Sequence, residues 1–509
     1  MNKQRARIFS AFFVAFAAMS SLSASAQVTV FANKANPKRR IPSIVRLNDG
    51  RLLAFADNRL YKDTDIGGNV PIGVDGSYSA DNGLTWDAPF SILRGNMGAT
   101  DYTYAFGDAA TVVDRESGKI LMMNASGKVG FFGNGYLQVA RSYSTDNGQT
   151  WTTDNATDAL YQNDACVKHL FFSSGRMIQS TTVKKGDYYR IYAGVNTRIA
   201  GQNLTEGNGG SRVVYSDDFG QTWHYLGGIA AMPAPAGDEC KVEELPNGNI
   251  LLSCRTFEKG RYYNIYDFAA NGGEGAWSSV VRSGETNVSG EVYGNESDGE
   301  VLIVPAKRST DNKQMYVLLQ SIPAAYDRTK VSIYWRALES EADYDEPADF
   351  VGGWQKLGVS TTYSCYSTMV LDREGNVAFL YEEKNEEATT GYNIIFRSFP
   401  LESIAKDETT GTYYTYSPTP EGSFYPTSDP AWAATGTAVG SVAAGASAAV
   451  RVVSGEGSLA VTAFADAPVR VHTASGQLVA SPALEAGQTW SVSVPQGVYL
   501  VNNQKVIVR

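Results

Sequence analysis

Ser79-Ala-Asp-Asn-Gly-Leu-Thr-Trp86, Ser144-Thr-Asp-Asn-Gly-Gln-Thr-Trp151 and Ser216-Asp-Asp-Phe-Gly-Gln-Thr-Trp223 are three copies of one pattern, Ser-x-Asp-x-Gly-x-Thr-Trp. The pattern has the chemistry of a tight turn. A short Ser or Asp side chain bonds nearby backbone, Gly takes a positive φ, and Trp packs the loop onto the sheet beneath. The copies start 65 and 72 residues apart, so each repeat is a unit of several strands, and repeats at such intervals decide architecture.

A second turn signal runs in phase with the first. Short apolar runs flank Asn48-Asp-Gly50, Glu116-Ser-Gly118, Ser173-Ser-Gly175, Pro246-Asn-Gly248, Ser297-Asp-Gly299 and Arg373-Glu-Gly375. Such turns between alternating runs signal hairpins, as in Ile44–Leu47 against Leu52–Phe55. The glycines are spaced by 68, 57, 73, 51 and 76 residues, and a worn copy of the first pattern lies around Gly272–Trp277. Six units of about four strands predict an all-β fold, a six-bladed β-propeller over residues 27–410. A β-sandwich would not explain two turn signals in phase.

Lys3, Arg5 and Arg7 precede an apolar run from Ile8 to Leu22 that ends in Ala24-Ser-Ala26, the layout of a signal peptide over residues 1–26. The run is too short for a membrane span, so export is expected and no transmembrane segment. The whole chain carries −10, and loss of the leader's three cations takes it to −13. An acidic protein argues against nucleic acid as a partner and requires a local cation cluster for any anionic ligand. Four cysteines (Cys166, Cys240, Cys254, Cys365) without CxxC spacing and three histidines supply neither a disulfide scaffold nor a zinc site. No metal or cofactor is expected. One disulfide or a set of buried thiols fits the cysteines equally.

Residues 411–449 have the Pro/Ser/Thr/Ala-rich composition of a linker. Beyond it, Val469-Arg-Val-His-Thr473, Trp490-Ser-Val-Ser-Val494 and Gly497-Val-Tyr-Leu-Val501 alternate again, predicting a small C-terminal β-sandwich over 450–509.

Positions equidistant from a hairpin turn lie opposite each other. Arg40 mirrors Arg59 about the Asp49–Gly50 turn, Glu239 mirrors Arg255 about Asn247, and Tyr366 mirrors Glu382 about Glu374. Three open hairpin ends thus present Arg/Arg, Glu/Arg and Tyr/Glu to one mouth of the central channel.

Arg40-Ile-Pro42 resembles the Arg-Ile-Pro motif of bacterial exo-α-sialidases (neuraminidases), and the repeated turn resembles their Asp box. The likeness covers essentially the whole propeller. It implies hydrolysis of terminal α-sialosides from sialylated glycans, through a covalent sialyl-tyrosine and with retention; trans-sialidase or anhydro-forming chemistry, or a non-catalytic sialic-acid-binding propeller, are the alternatives on the same residues. The resemblance implies that Arg40, Arg255 (in Leu251-Leu-Ser-Cys-Arg255) and Arg328 (in Ser321-Ile-Pro-Ala-Ala-Tyr-Asp-Arg328) grip the substrate carboxylate. Arg308 and Arg336 compete with Arg328 for the third place. Tyr366 matches the nucleophile, Glu239 its base, and Asp65, in Thr64-Asp-Ile-Gly-Gly68, the acid/base, with Asp63 as rival. Arg59 and Asp108 match positions that touch the sugar's 4-position, although Ala109 stands where the family often has Pro. Glu382 matches the carboxylate that orients the first arginine.

These residue types suit the chemistry. Guanidinium groups hold a carboxylate in bidentate fashion. A neutral phenol can approach an anomeric carbon bearing a carboxylate where an anionic nucleophile would be repelled, and sialidases are a known exception with a Tyr nucleophile. The ending Pro495-Gln-Gly-Val-Tyr-Leu-Val501 with Lys505-Val-Ile-Val-Arg509 resembles sorting domains of the type IX secretion system, which implies recognition by secretion machinery and a secreted, cell-surface or periplasmic protein of a Gram-negative bacterium.

Overall fold

The computed structural model describes residues 27–33, 37–60, 64–161, 169–199, 201–205, 208–257, 259–284, 288–294, 297–325, 327–384, 391–418, 450–455, 457–463, 467–473, 478–502 and 504–508. The expected leader and most of the expected linker lie outside them, as do Asp63 and Cys166. The described residues form two compact units, one on either side of that linker.

The larger unit is a series of antiparallel meanders. Lys38–Arg46, Leu52–Arg59, Ile72–Ser79 and Phe90–Leu93 make the first sheet, in chain order. The second begins at Phe106–Val113, the third at His169–Phe172 and Ile178–Lys185, the fourth at Cys240–Glu244, the fifth at Glu300–Arg308 and the sixth at Ser364–Leu371. The sixth sheet takes its outermost strand, Val28–Phe31, from the start of the described chain, with Val28 paired to Phe396.

First strands of neighbouring sheets pack on one another, and Lys38–Arg46 touches those of both the second and the sixth sheet. Between each consecutive pair of sheets lies one apolar cluster. Val45, Leu53, Phe106 and Ile120 join the first and second sheets, and Ile44, Ala54, Leu380 and Phe396 join the first and sixth. The ring of sheets is therefore closed by side chains as well as by the borrowed strand. Burying one such Leu, Ile or Phe contributes about 1.5–3 kcal/mol.

Two of the six expected hairpin turns lie elsewhere. In the third sheet both His169–Phe172 and Ile178–Lys185 pair with Tyr188–Arg198, so Ser173–Gly175 interrupts a first strand and the hairpin turns at Gly186. Gly175 and Arg176 instead pair in parallel with Ala110 and Thr111 of the second sheet. In the fifth sheet Ser297–Gly299 precedes the first strand, and the hairpin turns at Ser309–Asn312. The turn residues Gly50, Gly118, Gly186, Gly248, Asn312 and Gly375 all have positive φ. Their spacing of 62 to 68 residues is far more even than the sequence signal suggested.

The Ser-x-Asp-x-Gly-x-Thr-Trp segments join the third and fourth strands of the first three sheets. In each, Gly N–H donates to the Ser hydroxyl, at 2.8 Å for Gly83 and Ser79, and the Thr N–H and hydroxyl both donate to the Asp carboxylate. Trp86 reaches back to Phe396 and Trp151 to Phe55, each of the preceding sheet, while Trp223 lies against Phe172 of its own sheet, inside the apolar cluster shared with Leu121 and Met123 of the second. Trp277, from the worn copy, donates to the Leu226 carbonyl of the sheet before it.

Tyr414–Tyr416 pairs with Glu300–Arg308, so the chain past residue 410 still belongs to the fifth sheet. The smaller unit is built of Val450–Gly455, Ser458–Ala463, Thr489–Ser493, Gly497–Val501, Gln504–Val508 and shorter strands, around Leu459, Val461, Val471, Tyr499 and Val501.

Candidate functional site

The first strand enters the mouth with Arg40 and is bulged immediately after it. Pairing shifts between Arg40 and Ser43, and Ile41 adopts a φ of 57°, an outlier for a β-branched residue. Arg40 therefore pairs with Asp57, and Arg59 with Lys38, which corrects the mirror reading of Arg40 with Arg59. Glu382 of the sixth sheet, fully buried, fixes this bulge. It accepts from Arg40 Nε at 2.7 Å, from Nη2 at 3.3 Å and from the Ile41 N–H at 2.8 Å. The Arg40 guanidinium lies 4.9 Å from the centre of the Tyr392 ring.

Two other first strands bulge at the same level. Asp108 has a φ of 53° where pairing shifts between Gly107 and Ala110. In the sixth sheet pairing shifts between Ser364 and Ser367, so Cys365 and Tyr366 together oppose Glu382. In the fourth sheet the mirror reading holds without adjustment: the Arg255 N–H donates to the Glu239 carbonyl at 2.8 Å.

These irregularities bring the predicted residues together. The Tyr366 hydroxyl donates to Glu239 Oε1 at 2.7 Å, and Arg255 Nη1 donates to Glu239 Oε2 at 2.6 Å. Burial, then the Glu239 carboxylate, push the Tyr366 phenol well above its ordinary value. The guanidinium groups of Arg40 and Arg328 each lie 5.9 Å from the centre of the Tyr366 ring. Arg328 is brought there by its loop, whose carbonyl accepts from the Ser364 N–H at 2.8 Å. Its two competitors are engaged elsewhere. Arg308 pairs with Asp311 and Glu339 at the far end of its hairpin, and Arg336 donates to the carbonyls of Asp343, Asp349 and Gly352.

A second cluster forms around Arg59, which is buried. Its Nη2 lies 2.9 Å from Asp57 and its Nη1 2.8 Å from Asp65, whose side chain is 85% exposed. Asp57 also accepts from the Asp108 N–H at 3.0 Å. Burial, opposed by Arg59, raises the Asp57 carboxyl to about 6. Burial and then the Asp57 and Asp65 charges push Asp108 well up.

Three residues that the sequence reading missed complete the arrangement. Asp57 ties Arg59 to the Asp108 bulge, and nothing in Ala54-Phe-Ala-Asp57 marks it. Tyr392 underlies Arg40, again without a signal. Asp238 lies 3.4 Å from Arg255 Nη1 and accepts from Asn196 Nδ2 at 2.6 Å; burial raises its carboxyl to about 6. The adjacent acids Asp238-Glu239 were its available signal. Cys240, Cys254 and Cys365 are buried and free. Among the described residues no group of His, Cys, Asp or Glu is arranged to hold a metal.

The arrangement offers an anion-binding set of guanidinium groups, a phenol hydrogen-bonded to a carboxylate, and an exposed carboxyl group on an adjacent loop. Sheets and site together define an all-β, propeller-type protein with an arginine-lined mouth. The chain belongs to the BNR repeat-like domain family, whose model matches residues 50–378. It is 27% identical over 272 residues to a sialidase of Paraclostridium sordellii, covering 48% of this chain and 62% of that protein. It is also 27% identical over 199 residues to a sialidase of Clostridium perfringens, covering 36% of this chain and 47% of that protein. The chain thus spans less than two thirds of each relative. The Hadza microbial sialidase Hz136 superposes with a TM-score of 0.57 at 20% identity, covering 74% of this chain and 69% of that one. Trypanosoma rangeli sialidase in complex with the inhibitor DANA gives 0.54 at 16% identity, covering 74% and 60%. The intramolecular trans-sialidase from Ruminococcus gnavus, in complex with oseltamivir carboxylate, gives 0.53 at 16%, covering 75% and 98%. These three likenesses establish the fold.

Proposed function

We propose that the chain is an exo-α-sialidase that releases terminal α-linked sialic acids from glycans with retention, on a six-bladed propeller. The observation that carries this reading is the 2.7 Å contact between the Tyr366 hydroxyl and Glu239, beside Arg40, Arg255 and Arg328.

In this mechanism the three arginines hold the carboxylate on the anomeric carbon and so orient that carbon toward Tyr366. Glu239 takes the phenolic proton as the tyrosyl oxygen bonds to the anomeric carbon. Asp65 gives its proton to the leaving oxygen as the glycosidic bond breaks. Asp65 then removes a proton from water, which attacks the same carbon. The tyrosyl oxygen leaves and recovers its proton from Glu239. Two displacements restore the starting configuration. Arg59 and Asp108 bind the sugar at its 4-position, and Glu382 orients Arg40.

Export under the leader of residues 1–26, with recognition of the C-terminal unit by a secretion machinery, belongs to the same reading. Among the described residues no helix is long and apolar enough to cross a membrane.

The test is hydrolysis of an aryl α-sialoside by wild type, Tyr366→Phe and Asp65→Ala, with NMR of the first-formed sugar. Wild type is expected to release the α-anomer, and Tyr366→Phe to lose turnover while still binding sialic acid. A β-anomer formed first contradicts retention. Binding without release by wild type contradicts the enzyme.

A further inference from the structure

Asp65 is exposed, and its loop leaves the first sheet between Leu52–Arg59 and Ile72–Ser79. Side-chain support for its carboxylate comes from Arg59. The loop's backbone, however, rests on the neighbouring loop of the second sheet, between Ile120–Ser126 and Gln138–Ser144. A Cβ on Gly67 would stand 2.7 Å from Gly130 N, and a Cβ on Gly130 would stand 2.3 Å from the Ile66 carbonyl oxygen. The two loops are therefore in direct main-chain contact, a separation that only glycine permits. Ile66, next to Asp65, and Phe131 of the second loop both pack against the cluster of Ala125, Leu137 and Phe171.

That second loop is tied down from the third sheet. Arg198, 1% exposed, donates from Nε to the Phe131 carbonyl and from Nη2 to the Gly133 carbonyl at 3.0 Å. Its Nη1 donates to the carbonyls of Ile199 and Gln202. Gly133 N–H in turn donates to the Gly130 carbonyl at 2.9 Å. Among the described residues the hydrogen-bond partners of Arg198 are these main-chain carbonyls. Burying a guanidinium is costly unless its donors are satisfied, so the two bonds to Phe131 and Gly133 tie this loop to the third sheet, and the two to Ile199 and Gln202 hold the guanidinium in place.

We propose that the Gly67–Gly130 contact, braced by Arg198, positions Asp65 for proton transfer. Arg198 and Gly130 are positioning residues, acting through the loop that carries Asp65. The inference rests on the reading of Asp65 as acid and base.

The experiment compares kcat/KM, which reads the first displacement, for two α-sialosides. An aryl sialoside with an acidic phenol needs little protonation on departure, whereas a sialyl-lactose needs full protonation. Gly130→Ala and Arg198→Met are the test variants, Arg198→Lys the conservative one. Gly186→Ala, at a positive-φ turn with nothing within 4 Å of an added Cβ, is the control. The expected result is a loss of at least about tenfold on sialyl-lactose with the aryl substrate within about threefold, because general acid catalysis supplies 10²–10⁴-fold. Arg198→Lys is expected to recover part of the loss, with thermal midpoints reporting that each variant is folded. Equal losses on both substrates, or none on either, overturn the positioning role. Wild type that cleaves neither substrate removes the Asp65 reading and this inference with it.

Discussion

Arg40 illustrates how much one side chain here depends on its neighbours. Its position is set by a bulge with Ile41 at positive φ, a conformation that costs of order 1–3 kcal/mol and persists only when over-determined. Glu382 supplies that determination by bonding both the guanidinium and the Ile41 N–H. Glu382→Gln is therefore expected to raise KM for a sialoside by roughly ten- to a hundredfold, since a hydrogen bond to a charged group is worth about 1.5–3 kcal/mol. Steady-state kinetics check this, and kcat should fall far less than KM rises. At this scale the sequence was legible where register is simple. Glu239 and Arg255 face each other as counting from Asn247 predicts. Arg40 and Arg59 do not, because a bulge responds to tertiary contacts that no local pattern encodes. Asp57, Asp238 and Tyr392 escape the pattern for a related reason: each engages a group on another sheet, Asp108, Asn196 and Arg40 respectively.

The repeated turn is the clearest element. Its Asp accepts two bonds from Thr, its Gly closes on the preceding sheet, and its Trp fills the apolar layer between them. The Thr150 hydrogen bonds hold the Asp146 carboxyl at about 2, below its ordinary 3.8. A carboxylate depressed in the folded state contributes stability above its unfolded value, and loses it as pH falls through the folded one. Asp146→Asn should thus lower the thermal midpoint at neutral pH, and the gap to wild type should close between pH 4 and about 2. Differential scanning calorimetry across that range checks the sign. The hairpin turns were less legible. Ser173-Ser-Gly175 and Ser297-Asp-Gly299 have turn composition but precede or interrupt a strand, whereas the fifth hairpin turns on Asn312, which tolerates positive φ nearly as well as Gly.

The larger unit is a closed series of sheets in which every interface carries its own apolar cluster. Closure rests on Val28–Phe31, which completes the sixth sheet and places Phe31, fully buried, among Ile44, Ala54, Leu380 and Phe396. Phe31→Ala is expected to destabilise the larger unit by about 3–5 kcal/mol, read as a shift in the denaturant midpoint with the slope unchanged. The even spacing of the true hairpin turns is what brings side chains from four sheets, Arg40, Arg255 with Glu239, Arg328 and Tyr366, to one mouth. The turn repeats made that architecture legible in the sequence, and the bulges that shape the mouth were not.

The proposed function turns on Tyr366 as the nucleophile. An activated fluorosialyl fluoride, whose ring fluorine slows the second displacement, should lose fluoride and leave the sugar covalently attached, and peptide mass spectrometry locates the attachment. A sialyl adduct on Tyr366 is expected in wild type and none in Tyr366→Phe. An adduct on Glu239 or Asp65, or undiminished hydrolysis by Tyr366→Phe, would contradict that role.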